Sequence, residues 1–239
     1  MKLGKAPAKH DDRTLKLGSI LAAAYTPPPA FDNDAGKNIP TPMFANDSYG
    51  DCVIAGRAHM TLRFEDSEQG CVIAIHDGDV IREYDKESGG MDSGLNMLDS
   101  LKCWRKGWKA AGRQYNIHAF AALDPTVTHE VMASIALLSG AYVGVALPDN
   151  WEDQFLGGSW SDASMPPNPA NGHCIYIPTY DTGGFTCITW GKRLPMTWAF
   201  FEAYCDEAFA ICDDRDKWLK HDPLNVAVLD KLLAEVEAA

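Results

Sequence analysis

From Asn46 to Gly56 the chain reads Asn-Asp-Ser-Tyr-Gly-Asp-Cys-Val-Ile-Ala-Gly. The turn residues Tyr49, Gly50 and Asp51 feed straight into a helical run with the small side chains Ala55, Gly56 and Ala58. A helix with so little side-chain bulk packs close to its neighbours, so it belongs at the centre of a fold with its first residue, Cys52, at a cleft. Backbone N–H groups and the dipole at a helix N-terminus favour thiolate over thiol, and the thiolate is the nucleophile. Asn46, six positions earlier, is placed to point an N–H at an oxyanion formed beside Cys52. Asp51 works the other way, because a neighbouring carboxylate disfavours thiolate. Far downstream, Asn171-Gly172-His173-Cys174-Ile175-Tyr176-Ile177 puts a histidine at the start of a strand-like run, where it supplies a general base. A lone buried cysteine or histidine is ordinarily core filler; the two together predict a thiol hydrolase.

These residues resemble those of the papain-like cysteine peptidases. In that family a Gln lies six residues before the nucleophile and a Gly two before it. A Gly-His pair opens a later strand, and a Trp-Gly pair closes the next one after an Asn that orients the His. Here Asn46 stands at the Gln position, with Gly50, Cys52, Gly172-His173 and Trp190-Gly191 at the others. The resemblance runs in order from about Phe31 to Trp190; Gly94 to Trp104 is similar to the family's helical insert, and Gly140 to Leu147 to the strand before the histidine. The chain is also similar to bacterial and phage proteins with an Asn-Asp-x-x-Gly-Asp-Cys segment.

The resemblance implies an α+β, papain-like fold: a helical lobe carrying the nucleophile helix, packed on an antiparallel β-sheet lobe. It implies a peptidase or amidase acting on a peptide or amide substrate through Cys52, His173 and a covalent thioester, with Asn46 at the oxyanion and no cofactor or metal. Thr189 stands where the family has its orienting Asn, sixteen residues after the histidine. Its hydroxyl accepts from an imidazole N–H but needs a place for its own proton. Val53 replaces an aromatic residue, and Tyr49 a disulfide-forming cysteine. These departures leave a second reading open: a catalytically inactive papain-fold structural or interaction protein, a phage virion component with a protein partner. The expected substrate groove has Gly50, Trp151, Trp160 and Trp190 along it.

Composition bounds the remaining classes. A net charge of −12 argues against nucleic acid and anionic membrane as partners, since phosphate neutralisation needs clustered Lys and Arg. The basic group Lys102, Arg105, Lys106, Lys109 and Arg113 reads as the wet face of an amphipathic helix. No apolar run reaches the ~20 residues that span a bilayer, and Met1 to Lys5 is not followed by the apolar core of a signal peptide. A cytoplasmic location, or association with a virion, is therefore expected. Seven cysteines, an odd number, argue against a disulfide framework, and their spacing suits no metal.

Residues 1–30 read as a polar extension ending in Pro27-Pro28-Pro29 and lying over the surface as an arm, too short for the family's folded inhibitory prosegment. Residues 31–239 read as a single papain-like domain: a helical part over about 45–138, a sheet part over about 140–212, and a C-terminal helix over about 222–238. Within these, helices are expected over Cys52 to about Glu65, Met97 to about Ala111, Thr128 to Leu138 and Met196 to Tyr204. Strands are expected over Tyr142 to Leu147, His173 to Tyr180, Phe185 to Trp190 and Glu207 to Cys212. Pro148 to Ala170 reads as a long loop. His59 lies two helical turns from Cys52, about 10 Å at ~1.5 Å per residue, and reads as structural. Asp181 lies roughly 26 Å along the strand from His173 at ~3.3 Å per residue, and reads as a turn residue.

Overall fold

The computed structural model describes residues 1–22 and 24–213. Its helices are α1 (Leu17–Ile20), α2 (Cys52–Gln69), α3 (Asp77–Ser88), α4 (Met97–Lys106), α5 (Thr128–Leu138), α6 (Trp151–Gly157) and α7 (Trp198–Tyr204). Its strands are β1 (Phe31–Asp32), β2 (Trp108–Ala110), β3 (Arg113–Tyr115), β4 (Ala119–Leu123), β5 (Ala141–Ala146), β6 (Gly172–Tyr180), β7 (Gly184–Thr189), β8 (Lys192–Thr197) and β9 (Cys205–Cys212). Seven strands form one sheet in the order β4-β9-β5-β6-β7-β8, with β1 added to β6. Every named strand pair in it is antiparallel. The architecture is α+β, as the sequence predicts.

The central strands are buried on both faces, and alternation divides their side chains between two cores. Val143, Val145, Ile175 and Ile177 face α5 and α7, whereas Tyr142, Cys174 and Tyr176 face α2 and α4. Helix α2 comes down on this second face at Gly56, where a Cβ would sit 2.9 Å from the Tyr142 ring. With α3 and α4 packed on its remaining sides, α2 is buried continuously from Cys52 to Glu65. Its two arginines are paired with carboxylates inside the protein. Arg57 reaches Glu87 at 2.7 Å and the Ser100 carbonyl at 2.9 Å, and Arg63 reaches Asp34 at 2.7 Å. A buried charge without such a partner costs several kcal/mol, about 3–5 when one member is removed.

Several local expectations are corrected. Helix α3 has a short buried face and was not expected. Helix α4 stops at Lys106 because Gly107 takes φ 98°, and β2 pairs with β3 beyond it, so Lys109 and Arg113 are strand residues off the basic helix face. Lys192–Thr197 is strand, since Trp190-Gly191 makes a hairpin turn, and the helix expected from Met196 begins at Trp198. The long loop contains α6. Residues 1–30 are not a surface arm: Lys5, Leu15, Leu17 and Ile20 are buried, and Lys16 bridges to Ala122 on β4. The C-terminal helix expected over 222–238 lies outside the described residues. All seven cysteines are free thiols, and no helix among the described residues is long and apolar enough to cross a membrane.

Candidate active site

Cys52 is the first residue of α2, and the turn that delivers it is held by Asp92, which follows α3 and is itself fixed by Tyr84 on that helix. Asp92 accepts from the Gly50 N–H at 2.8 Å and from the Tyr84 hydroxyl at 2.9 Å. The Asp51 carbonyl then takes the first helical amides, Ile54 at 2.8 Å and Ala55 at 2.9 Å. Phe44 and Ala45, just before the turn, have φ of 56° and 64°. Non-glycine residues in this left-handed region are strained. Phe44 is fully buried against His59, with ring centroids 4.9 Å apart.

His173 is the second residue of β6 and lies at the facing edge of the sheet. Its Nε2 is 2.7 Å from Thr189 Oγ1 at the end of β7. The imidazole stacks on Trp190, with centroids 3.8 Å apart and planes 12° from parallel. Trp190 and Gly191 form a two-residue hairpin between Thr189 and Lys192, with φ of 41° and 70°. Positive φ at both central positions is the turn that suits hairpin twist. It costs a tryptophan strain, and it lays the indole flat on the histidine.

Residues 1–6 run through the cleft between these two edges. On one side Lys2 N–H donates to the Asn46 carbonyl at 2.9 Å. Asn46 Nδ2 is 3.4 Å from the Lys2 carbonyl, which also accepts from Trp190 Nε1 at 3.0 Å. Further along, Gly4 and Lys5 N–H groups lie 3.2 and 3.0 Å from the Gly172 carbonyl. Leu95 flanks the segment like a parallel strand, donating to the Gly4 carbonyl at 2.8 Å and accepting from Ala6 at 2.9 Å. Glycines make the channel wide enough: a Cβ on Gly172 would overlap the Lys5 carbonyl, and one on Gly94 the Gly4 carbonyl. The Lys5 side chain, 1% exposed, ends 2.9 Å from Asp206 and 3.2 Å from Glu207.

This segment sets the electrostatics of the cleft. Burial pushes the Cys52 thiol up to about 12, against the backbone amides of Cys174 and Gly4, which favour the thiolate. Burial pushes His173 down to about 3, and the Lys5 charge adds to the shift. Both groups are neutral in the closed cleft. No hydrogen bond joins them, and His173 Nδ1 has no hydrogen-bond partner. Asp51 is fully buried; burial, with the Asp92 and Asp77 charges adding, holds its carboxyl up to about 8 against the neighbouring Asn46 amide and the Asp51 backbone N–H, which favour the carboxylate.

Of the residues predicted from sequence, His173, Thr189 and Trp190 form one contact group. Cys52 and Asn46 both touch residues 1–6, Cys52 at the Gly4 backbone and Asn46 at Lys2. The Asn46 amide is 3.1 Å from the Tyr49 carbonyl, so in this state it binds carbonyl oxygens of the turn and of the cleft segment. Gly50 lines the cleft against Leu3 and Gly4. Trp151 stacks on the outer face of Trp190, 4.7 Å between centroids. Trp160 is corrected: it is fully buried, stacked on Phe200 at 5.4 Å with its Nε1 on the Trp151 carbonyl, and is core. His59 is buried in α2 and Asp181 caps the β6–β7 turn by accepting from Gly183 and Gly184. Sequence reasoning missed Lys5, Asp92, Asp206 and Glu207. Asp92 reaches Gly50 across 42 positions and Lys5 reaches Glu207 across 202, and no local pattern marks them.

The fold is that of the papain-like cysteine proteases. The chain is similar to xylellain, a cysteine protease from Xylella fastidiosa, with TM-score 0.66 and 16% identity over 89% of this chain and 96% of that one. It is also similar to the Carica candamarcensis cysteine protease solved with E-64 (TM-score 0.58, 12% identity, 79% of this chain and 100% of that one). Procathepsin B from Trypanosoma congolense matches with TM-score 0.58 and 11% identity, over 89% of this chain and 86% of that one. At these identities the likeness is one of fold. No protein-family profile matches the chain, and no curated protein sequence matches it.

Proposed function

We propose that the chain is a thiol hydrolase, a peptidase or amidase, that works through Cys52 and His173 once residues 1–6 have left the cleft. One observation carries this reading: His173 is anchored through Nε2 to Thr189 while its Nδ1 is buried without a partner. With Nε2–H donating to Thr189 Oγ1, Nδ1 carries the lone pair and is the base. With the segment gone, water reaches the cleft and the burial that holds both groups neutral is relieved. His173 takes the Cys52 proton, and the thiolate attacks the substrate carbonyl carbon. The Cys52 N–H and the Asn46 amide hold the resulting oxyanion. His173 passes the proton to the leaving amine as the C–N bond breaks, and water then hydrolyses the thioester.

The closed cleft also favours the second reading, an inactive interaction module whose thiol stays buried. The two are separated by a fluorogenic peptide mixture presented to the full chain carrying Lys5→Ala, which loosens the segment. Turnover that disappears on adding Cys52→Ala supports the hydrolase. If no peptide is cleaved and Cys52 alkylates no faster than the core thiols Cys174 and Cys187, the interaction module stands.

A further inference from the structure

The contacts of residues 1–6 divide into two kinds. Those of the backbone, to Gly172, Leu95 and Asn46, are main-chain hydrogen bonds that any extended peptide supplies, as in strand addition to a sheet edge. The contact of the Lys5 side chain is chemically selective. Its ammonium lies 2.9 Å from Asp206 and 3.2 Å from Glu207. Among the described residues these two carboxylates have no other ion-pair partner, and Glu207 Oε2 has no hydrogen-bond partner although the side chain is only 8% exposed. The depth that takes a long side chain exists because residue 144 is glycine: a Cβ there would overlap the Lys5 methylenes. Beyond the carboxylates the space opens into a cavity of about 710 Å³ bordered by Lys9, Leu98, Asp206, Glu207 and Phe209.

We infer that the Asp206–Glu207 pocket is a substrate subsite for a basic side chain, and that the hydrolase selects extended peptides with a lysine or arginine at the residue seated there. Lys5 is the occupant of that subsite in the closed form. The inference rests on the thiol-hydrolase reading, and it follows from what happens when Lys5 leaves. Glu207, 8% exposed, is then left without its cation, with the more exposed Asp206 next to it; a buried uncompensated charge is costly and an incoming cation is correspondingly favoured. Burial already holds Glu207 up to about 7 even with Lys5 present, so the pocket is poised to take either a proton or a cation.

The test uses the full chain with Lys5→Ala. Cys52 modification is followed by intact mass with peptidyl vinyl sulfones in which lysine, arginine, norleucine or glutamate is scanned through each position. At one position lysine or arginine is expected to react at least tenfold faster than norleucine. Glu207→Gln with Asp206→Asn, added to Lys5→Ala, is expected to bring that ratio below about threefold. A ratio near one at every position, or one that survives both acid replacements, overturns the inference. A second arm does not depend on the thiol. A fluorescein-labelled peptide of residues 1–10 is titrated onto the Lys5→Ala, Cys52→Ala chain, alongside the same peptide with norleucine in place of its Lys5. At least tenfold weaker binding of the norleucine peptide is expected; equal binding, or no binding of the lysine peptide, overturns the inference. Failure of the hydrolase reading shows separately, as an iodoacetamide rate at Cys52 that Lys5→Ala and His173→Ala leave unmoved.

Discussion

His173 Nε2 lies 2.7 Å from Thr189 Oγ1, which joins the first turn of contacts on β6 to the last residue of β7. In the proposed hydrolase the hydroxyl takes the part of the longer carboxamide in the family that the sequence resembles. It pairs with one ring nitrogen, while the other has no hydrogen-bond partner.

Removing that anchor separates orientation from folding. Thr189→Val keeps the side-chain shape and leaves Nε2 buried without a partner, a cost of about 1–3 kcal/mol. In the Lys5→Ala chain it is expected to slow Cys52 alkylation by iodoacetamide and to lower Tm by several degrees. Thr189→Asn restores an acceptor and is expected to keep alkylation at or above the Lys5→Ala rate. If both variants label like their parent, Thr189 does not position the base.

Lys5→Ala is itself a prediction about the closed state. Cys52 in the unsubstituted chain is 1% exposed with its thiol pushed up to about 12, so iodoacetamide is expected to label it slowly. Loosening residues 1–6 is expected to raise that rate at least tenfold, read by peptide mapping. The substitution also strands Asp206 and Glu207. Denaturant melts are expected to show a loss of about 3 kcal/mol at pH 8, smaller at pH 6 where Glu207 takes up a proton.

Acid is expected to destabilise the fold through its buried histidines. Folded His173 resists protonation down to about pH 3, while the ordinary value is 6.5; burial, with the Arg63 charge adding, depresses His59 in the same direction. The unfolded chain therefore binds these protons first. Stability from this source is complete above pH 6.5 and is lost as pH falls from 6.5 towards 3, at up to about 1.4 kcal/mol per pH unit per group. Tm measured from pH 7 to 4 is expected to fall less steeply in His173→Gln than in the parent. Parallel curves for the two would count against it.

Asp51 gives the opposite slope. Its folded value of about 8 lies above the ordinary 3.8, so the folded state holds the proton longer. Its contribution is complete below pH 3.8 and is lost as pH rises through 8. Asp51→Asn is expected to flatten the decline of Tm between pH 5 and 9. Because Asp51 keeps its proton below pH 8, the same substitution is expected to speed Cys52 labelling mainly above pH 8.

Much of this site was legible in one dimension because its parts are local signals. A turn of Tyr49-Gly50-Asp51 before small residues reads as the start of a buried helix, and Gly172-His173 before alternating apolar residues reads as the start of a strand. The resemblance to the papain-like family, and not the residues alone, pointed to Thr189 as the partner of His173. Trp160 was misread as a groove wall because an aromatic residue in a Gly- and Pro-rich stretch looks exposed until Phe200, forty positions on, is seen to stack on it. Helix α3 was missed because its buried face is short, Val80, Glu83 and Tyr84 in a run of charged residues, and Asp92 because it acts on Gly50 across 42 positions.

The sequence by itself determined the α+β order of elements, the cysteine at a helix start and the histidine at a strand start, since those follow from periodicity and turn chemistry within a few residues. Only the tertiary structure decided that residues 1–6 fill the cleft. Lys2 meets Asn46 and Trp190, and Lys5 meets Gly172, Asp206 and Glu207, across separations as long as 202 positions. Ion pairs and main-chain hydrogen bonds between distant segments leave no periodic trace. They exist only once the sheet and α2 have brought their partners together, and in this chain they close the cleft in which the thiol and the imidazole are buried.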